Sequence, residues 1–278
     1  MVAECIFVGT ELLLGQIVNT NGAYLGRRLA ELGIDQYLQV TVGDNPARLR
    51  AALAAALQRA DVVITSGGLG PTLDDLTRET AAELAGRALR FDPALWEQIA
   101  RGRTLRENMK RQAMVPEGAT VLPNAVGTAP GLIIPAQERA LMLLPGPPAE
   151  LIPMFEAHGI PYLLSRMGQP ATLVSRSLRF FDIGESAIAE ALDDLIQGQT
   201  DPTLATYAKP GDVEVRISTK AADRAAGLAR IAPVEAEIRR RLGEHLYGID
   251  ETTFEAAVGQ LVQQTGRSLT VFDAWTGG

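Results

Sequence analysis

Asp44, Asp74 and Asp75, together with Gly67, Gly68 and Gly70, have the types and spacing for chemistry on a phosphorylated ligand. Ser66-Gly67-Gly68-Leu69-Gly70-Pro71 follows the apolar, β-branched run Val62-Val63-Ile64. Its glycines permit positive φ and let backbone N–H groups approach a ligand closely. Thr72 then reads as a helix N-cap with Asp75 as its capping-box partner. A helix N-terminus favours anions, yet Asp74 and Asp75 place two carboxylates beside it. A divalent cation reconciles the two, because hard cations take carboxylate and phosphate oxygens together. Asp44 lies in the turn Gly43-Asp44-Asn45-Pro46, and we expect the three aspartates at the carboxyl ends of adjacent strands, where open α/β sheets bind ligands. A Mg²⁺ held there would neutralise phosphate charge and activate a water for in-line attack. The same residues also allow a plain reading: Asp75 as a cap, Asp44 as a turn former, and the glycines as a strand-to-helix connection.

The elements that position these residues alternate in type. Ala3 to Val8 reads as a short apolar strand, and Gly9-Thr10-Glu11 is the turn at its carboxyl end. A helix capped by Thr20 or Asn21 follows, with Leu25, Leu29 and Leu32 on one face and Gly33 as its stop. Asp35 to Val42 reads as a strand, and Asn45 and Pro46 open a second helix with Leu49, Leu53 and Leu57 on one face. The order β, α, β, α, β, loop, α implies right-handed crossovers and an α/β, doubly wound, mostly parallel sheet. Asp92 to Gln112 reads as a helix ending in Arg106-Glu107-Asn108-Met109-Lys110-Arg111-Gln112, taken as a solvated face. A hairpin of Leu132–Ile134 and Ala140–Leu144 leads to Pro145-Gly146-Pro147-Pro148, which either forms one wall of a pocket or turns the chain.

Composition narrows the class. The chain has 278 residues, 46% hydrophobic and 21% charged, with a net charge of −7 and a pI near 5.0. That balance argues against non-specific binding to nucleic acid or an anionic membrane. The one cysteine, Cys5, cannot form an internal disulfide, which suits a reducing cytoplasm. The N-terminus lacks a signal-peptide pattern, and no run approaches the ~18 apolar residues of a membrane span. The glycine loop is neither a Walker motif nor a dinucleotide fingerprint. No Ser/His/Asp set emerges, and His158 and His245 read as surface residues.

A shift in composition at Ser165 to Thr172 marks a domain boundary. Beyond it, a strand at 173–181, a helix at 183–196, strands at 203–207 and 213–217, and a helix to Leu242 read as a smaller α+β domain. The tight turn after Lys209 exposes that lysine, either as an ordinary surface side chain or as a phosphate contact. We expect domains at 1–168 and 172–250, with 251–278 as a separate segment.

Three stretches carry a family resemblance: Val8-Gly9-Thr10-Glu11-Leu12-Leu13-Leu14-Gly15-Gln16-Ile17-Val18-Asn19-Thr20-Asn21, Gly67-Gly68-Leu69-Gly70-Pro71-Thr72-Leu73-Asp74-Asp75-Leu76-Thr77, and Leu144-Pro145-Gly146-Pro147-Pro148. With Gly127-Thr128-Ala129-Pro130-Gly131 and Lys209-Pro210-Gly211-Asp212-Val213-Glu214-Val215-Arg216, they closely resemble the CinA (competence/damage-inducible) family. The resemblance implies a first domain of the molybdopterin-binding, MoaB/MogA-like fold and a KH-type second domain, although we find no Gly-x-x-Gly loop for RNA clamping. It further implies a metal-dependent pyrophosphatase acting on ADP-ribose, with Mg²⁺, Mn²⁺ or Co²⁺, in a cytoplasmic homodimer. Asp44, Asp74 and Asp75 would hold the metal and Gly67, Gly68 and Gly70 the diphosphate. Thr10 and Glu11 would border the nucleoside, Thr72, Pro145 and Gly146 would complete the pocket, and Lys209 would add positive charge. The alternative is a non-catalytic nucleotide- or pterin-binding module that acts through protein partners. The segment 251–278 resembles the start of the family's nicotinamide mononucleotide deamidase domain. Ala274 stands where that domain has its serine nucleophile, so no deamidase activity is expected.

Overall fold

The computed structural model describes residues 1–101, 106–167, 172–209, 211–268, 270, 272 and 274–276, of Lys209 the backbone only. The chain forms two compact units, Met1–Pro170 and Ala171–Gly278.

In the first unit, β1 (Ala3–Val8) is buried along its whole length and leads into α1 (Thr10–Leu13) and α2 (Thr20–Glu31). Next come β2 (Gln39–Val42), α3 (Pro46–Arg59), β3 (Val62–Ser66) and α4 (Thr77–Leu84). A two-stranded ribbon of β4 (Leu89–Phe91) and β5 (Met114–Pro116) flanks α5 (Pro93–Ala100) and a 3₁₀ turn, Glu107–Ala113. Then follow β6 (Thr120–Leu122), β7 (Gly131–Ala136), β8 (Arg139–Leu144), α6 (Pro148–Met154) and α7 (Ile160–Arg166). The six-stranded sheet runs β2-β1-β3-β8-β7-β6. Its first four strands are parallel; β7 pairs antiparallel with β8, and β6 pairs antiparallel with β7. Alternation along β1 explains the double winding. Cys5 and Phe7 pack with Leu25, Leu29 and Phe155 on one face, while Ile6 and Val8 pack with Leu49 and Leu53 on the other. Burial pushes the Cys5 thiol up to about 12, so it stays protonated and inert.

Several local expectations are corrected. The cap of α2 is Asn19, whose side chain accepts from Gly22 N, rather than Thr20 or Asn21. Of the strand expected from Asp35, only Gln39–Val42 pairs as a strand, and Asp35 contributes an isolated bridge to Val2. The helix expected from Asp92 ends at Ala100, and Glu107–Ala113 is a separate 3₁₀ turn. Most consequential for the site, β2 and β3 are not neighbours, because β1 lies between them. Asp44 is therefore reached from the glycine loop across Gly9-Thr10-Glu11.

The second unit contains β9 (Thr172–Phe180), α8 (Glu185–Ala191), α9 (Asp193–Gln197), β10 (Thr203–Lys209) and β11 (Asp212–Ala221), followed by α10 (Arg224–Leu242), β12 (Leu246–Ile249) and α11 (Phe254–Thr265). Its antiparallel sheet runs β10-β11-β9-β12 over a core of Leu178, Phe180, Val215, Ile217, Ile231 and Ile238. Sequence reading missed β12, a four-residue strand with a register shift at Leu246/Gly248. Phe254 stacks on Phe181 at 4.5 Å and meets Tyr247 edge-on at 5.3 Å, which ties α11 to this unit. Part of the Asp273–Gly278 motif lies outside the described residues.

Candidate functional site

A cleft of about 430 Å³ opens at the carboxyl ends of the central strands of the first unit. Its walls come from the ends of β1 and β2, the glycine loop after β3, and the Pro145-Gly146-Pro147 turn after β8. Close backbone packing holds these pieces together. Gly67 adopts φ +107° with its N–H donating to Leu144 O at 3.0 Å, and a Cβ there would come within 2.2 Å of Val8 O. Gly68 adopts φ +68°, and a Cβ there would meet Thr77 Oγ1 at 2.1 Å. Thr77 reinforces the bend, since its hydroxyl donates to Gly67 O at 2.9 Å and its N–H to Gly68 O at 3.1 Å.

That bend moves the helix start. α4 begins at Thr77, with Leu76 as an N-cap that supplies no side-chain bond, so Thr72 is not a helix cap. Thr72 and Asp75 do bond, but inside a turn: Asp75 Oδ2 accepts from Thr72 N at 3.0 Å and from the Thr72 hydroxyl. The first amide of α4, Thr77 N–H, is therefore taken up by Gly68 O. Among the described residues, the N–H groups of Gly68, Leu69 and Gly70 donate to no protein acceptor.

The carboxylates are placed by equally specific bonds. Asp44 Oδ2 accepts from Thr10 N at 2.9 Å and from Thr10 Oγ1 at 2.8 Å, and Asp44 N donates back to Thr10 Oγ1 at 3.2 Å. Glu11 folds over Gly9, where a Cβ would come within 2.5 Å of its Oε1. Asp75 Oδ2 similarly lies 2.4 Å from the position of a Cβ on Gly70. The Thr72 hydroxyl, and then Asp74's own N–H, hold the Asp74 carboxyl below its usual pKa, so it is charged at neutral pH.

Of the residues singled out from sequence, Glu11, Asp44, Gly67, Gly68, Gly70, Asp74, Asp75, Pro145 and Gly146 line this cleft. Thr10 and Thr72 are not part of its lining but are hydrogen-bond partners of Asp44 and Asp75. Lys209 belongs to the second unit, and its side chain lies outside the described residues. Three contributors were missed. Glu150 lines the cleft and accepts from Asn124 Nδ2 at 2.6 Å. Gln112 lines it too, 2% exposed and with Oε1 buried and unpartnered. Arg111 braces the acidic turn, donating to the carbonyls of Thr72 and Asp75 and to Glu79 Oε1 at 3.1 Å. Glu150 was visible only as a first-turn acid. Arg111 and Gln112 were hidden in a charged run that resembles a solvated helix face, and only the chain's fold-back reveals their role.

The lining thus carries five carboxylates, Glu11, Asp44, Asp74, Asp75 and Glu150, and no lysine, arginine or histidine among the described residues. No three His, Cys, Asp or Glu among the described residues are grouped closely enough to hold a metal ion by themselves. The donor set nevertheless fits a hard cation shared with a ligand. The bonds to Asp44 and Asp75 fall on Oδ2 and leave Oδ1 of each outside them, and phosphate oxygens would complete the oxygen ligands such ions take.

A glycine-loop cleft at the strand ends of a doubly wound sheet, joined to a smaller α+β unit, defines a molybdopterin-binding-type domain with a KH-type companion. The family described as “Probable molybdopterin binding domain” matches residues 4–165, and the “Damage-inducible protein CinA KH domain” matches residues 175–248. The chain belongs to the CinA family. A competence-damage inducible protein by name from Symbiobacterium thermophilum is 59% identical over 285 residues, covering 100% of this chain and 67% of that protein. A CinA-like protein from Dictyoglomus thermophilum is 46% identical, covering 100% of this chain and 68% of its own length. The crystal structure of a CinA protein of unknown function from Thermoplasma acidophilum is 35% identical, with a TM-score of 0.56, covering 58% of this chain and 98% of that one. No helix among the described residues is long and apolar enough to cross a membrane.

Proposed function

We propose that the first unit is a metal-dependent hydrolase that cleaves the diphosphate of ADP-ribose, or of a related nucleoside diphosphate sugar, giving AMP and ribose 5-phosphate in the case of ADP-ribose. The observation that carries this reading is the pairing, in one cleft, of acceptor-less loop amides with five carboxylates and no basic side chain. Amides without acceptors suit phosphate oxygens, but an anion among carboxylates needs a cation between them. A divalent ion bound there would supply charge neutralisation and a polarised water. The chain's own residues do the rest. Gly68, Leu69 and Gly70 N–H groups would hold the diphosphate, and Asp44 and Asp75, each pinned through Oδ2, would be the residues to hold the cation. Asp74, ionised at neutral pH, would orient a water and accept its proton as the water oxygen attacks one phosphorus, the bridging P–O bond breaks and the bridging oxygen leaves on the other phosphate. Gln112 excludes bulk solvent from one side. The free, inert Cys5 suits a reducing cytoplasm, and we take the working form to be a homodimer.

The experiment is direct: incubate the protein with ADP-ribose and Mg²⁺, Mn²⁺ or Co²⁺ and follow AMP and ribose 5-phosphate by chromatography. Chelation should abolish turnover, and Asp75→Ala should lower it by about a hundredfold or more. Full metal-dependent turnover by Asp75→Ala would remove Asp75 from the metal. Tight ligand binding with no product would favour the non-catalytic module instead.

A further inference from the structure

We propose that the first unit has a second ligand site, at the opposite end of its large sheet, for a small molecule with an apolar body and one carboxylate. This site shares no residue with the carboxylate-lined cleft, and it does not rest on the hydrolase reading.

A cavity of about 470 Å³, slightly larger than the cleft, lies where α3 and α4 end and β8 begins. That volume is in the range of small-molecule sites. Its walls are mainly apolar: Ala54 and Leu57 of α3, Leu84 at the end of α4 with Ala85 beyond it, and Ala136 of β7. Leu57, Leu84 and Ala85 also pack against the buried core on this face of the sheet. An apolar group seated here would extend that core and leave water.

The remaining lining residues are Gln58, Gln137 and Arg139, and no acid is among them. Arg139 gives the site its sign. It is half-buried, and its guanidinium makes no ion pair or hydrogen bond among the described residues, the buried Nη1 included. A cation partly withdrawn from water and left unpaired is unfavourable. A carboxylate supplies the missing acceptor, in the planar fork geometry that arginine favours. The chain as a whole carries a net charge of −7, which repels carboxylates in general. At this cavity a cation with no acid in the lining reverses that sign locally.

The backbone adds an independent observation. Ala136 pairs with Arg139 across the β7–β8 hairpin, so Gln137-Glu138 is a two-residue turn. Gln137 has φ +57°, and Glu138 is not in the positive-φ region. A hairpin turn with only its first central residue at positive φ ordinarily takes glycine there. Glutamine in that place is strained. What it contributes instead of glycine is a lining side chain whose amide can donate to a carboxylate oxygen.

The test is titration of the isotope-labelled full chain with octanoate, below its micelle concentration, followed through the backbone amide resonances. Octanoate should shift residues 54–58, 84–86 and 136–139 and leave residues 67–75 of the cleft in place. Octanol, which keeps the apolar body without the carboxylate, and octylamine, which reverses the charge, should each bind at least about tenfold more weakly. Arg139→Gln should weaken octanoate about tenfold and leave octanol unchanged. Gln137→Gly should raise the urea midpoint, because glycine relieves the turn, and yet weaken octanoate about threefold. Because Arg139→Gln also alters the start of β8, Ala54→Trp provides a second arm: it fills the cavity from α3 and should remove octanoate and octanol binding together. Absence of any shift, shifts confined to the cleft, or octanoate affinity unchanged in both Arg139→Gln and Ala54→Trp overturns the inference. Octanoate and octanol binding equally well would show an apolar crevice only, and overturns it as well.

Discussion

Gly67 and Gly70 belong to one loop, yet an added methyl group would meet a different obstacle at each. At Gly67 the obstacle is backbone: φ is +107° and Val8 O would lie 2.2 Å from the new carbon. Backbone conformations of that kind cost an L-residue about 1–3 kcal/mol before any clash, so Gly67→Ala should lose roughly 3 kcal/mol or more, read as a lower urea midpoint. At Gly70 the obstacle is the end of a side chain, Asp75 Oδ2 at 2.4 Å. Gly70→Ala should therefore leave the urea midpoint nearly unchanged while displacing Asp75, and turnover of ADP-ribose should fall at least tenfold. Glu79 gives a residue-scale pH prediction. Burial alone would raise its carboxyl pKa, but the charge and hydrogen bond of Arg78, with its own amide and Arg111, hold it below the usual value. A carboxylate whose folded pKa is depressed stabilises the fold above its unfolded pKa and loses that contribution as pH falls through the folded one. Wild type should thus be more stable than Glu79→Gln at neutral pH. The gap should close on acidification below the ordinary glutamate range in paired urea titrations. Most of these residues were legible in sequence as types. Their partners were not, because Thr10 and Asp44, or Arg111 and Asp75, are separated by more than thirty positions.

Among the elements, the 3₁₀ turn Glu107–Ala113 contributes most beyond its length. It carries Arg111 onto the turn that holds Asp74 and Asp75, and Gln112 into the cleft. Arg111 spans two carbonyls and Glu79 with one planar guanidinium, geometry that a lysine cannot reproduce. Arg111→Ala should loosen residues 71–76, seen as faster amide exchange there, and weaken Mn²⁺ binding measured by electron paramagnetic resonance. Arg111→Lys should recover only part of either effect. An unchanged exchange pattern would show that the brace is dispensable. The same scale explains why the helix expected at Thr72 starts at Thr77. The Thr72–Asp75 bond has capping-box chemistry, but Thr77 N and Oγ1 engage Gly68 O and Gly67 O and bend the intervening residues into a turn. Local pattern identified the right bond, and a longer-range contact decided the conformation around it.

At the scale of the whole molecule, the two units have separate cores, one on each face of the large sheet and one beneath the small sheet. Ile217 is fully buried in the latter. Ile217→Ala should cost the second unit about 2–5 kcal/mol, lowering its unfolding transition in calorimetry while AMP binding by the folded chain persists. Sequence by itself determined the alternation of strands and helices, the apolar faces, the glycine loop and the acids beside it, since each depends on neighbours within a few positions. It also carried the family motifs. Tertiary structure decided the rest. Strand order placed β1 between β2 and β3, so Asp44 is held by Thr10 rather than lying next to the glycine loop. The fold-back of the 3₁₀ turn and the start of α6 added Gln112 and Glu150 to the cleft. The physical reason is common to both: hydrogen bonds and packing between distant segments are fixed only when the chain closes on itself, and periodicity in sequence carries no record of which distant segment will arrive.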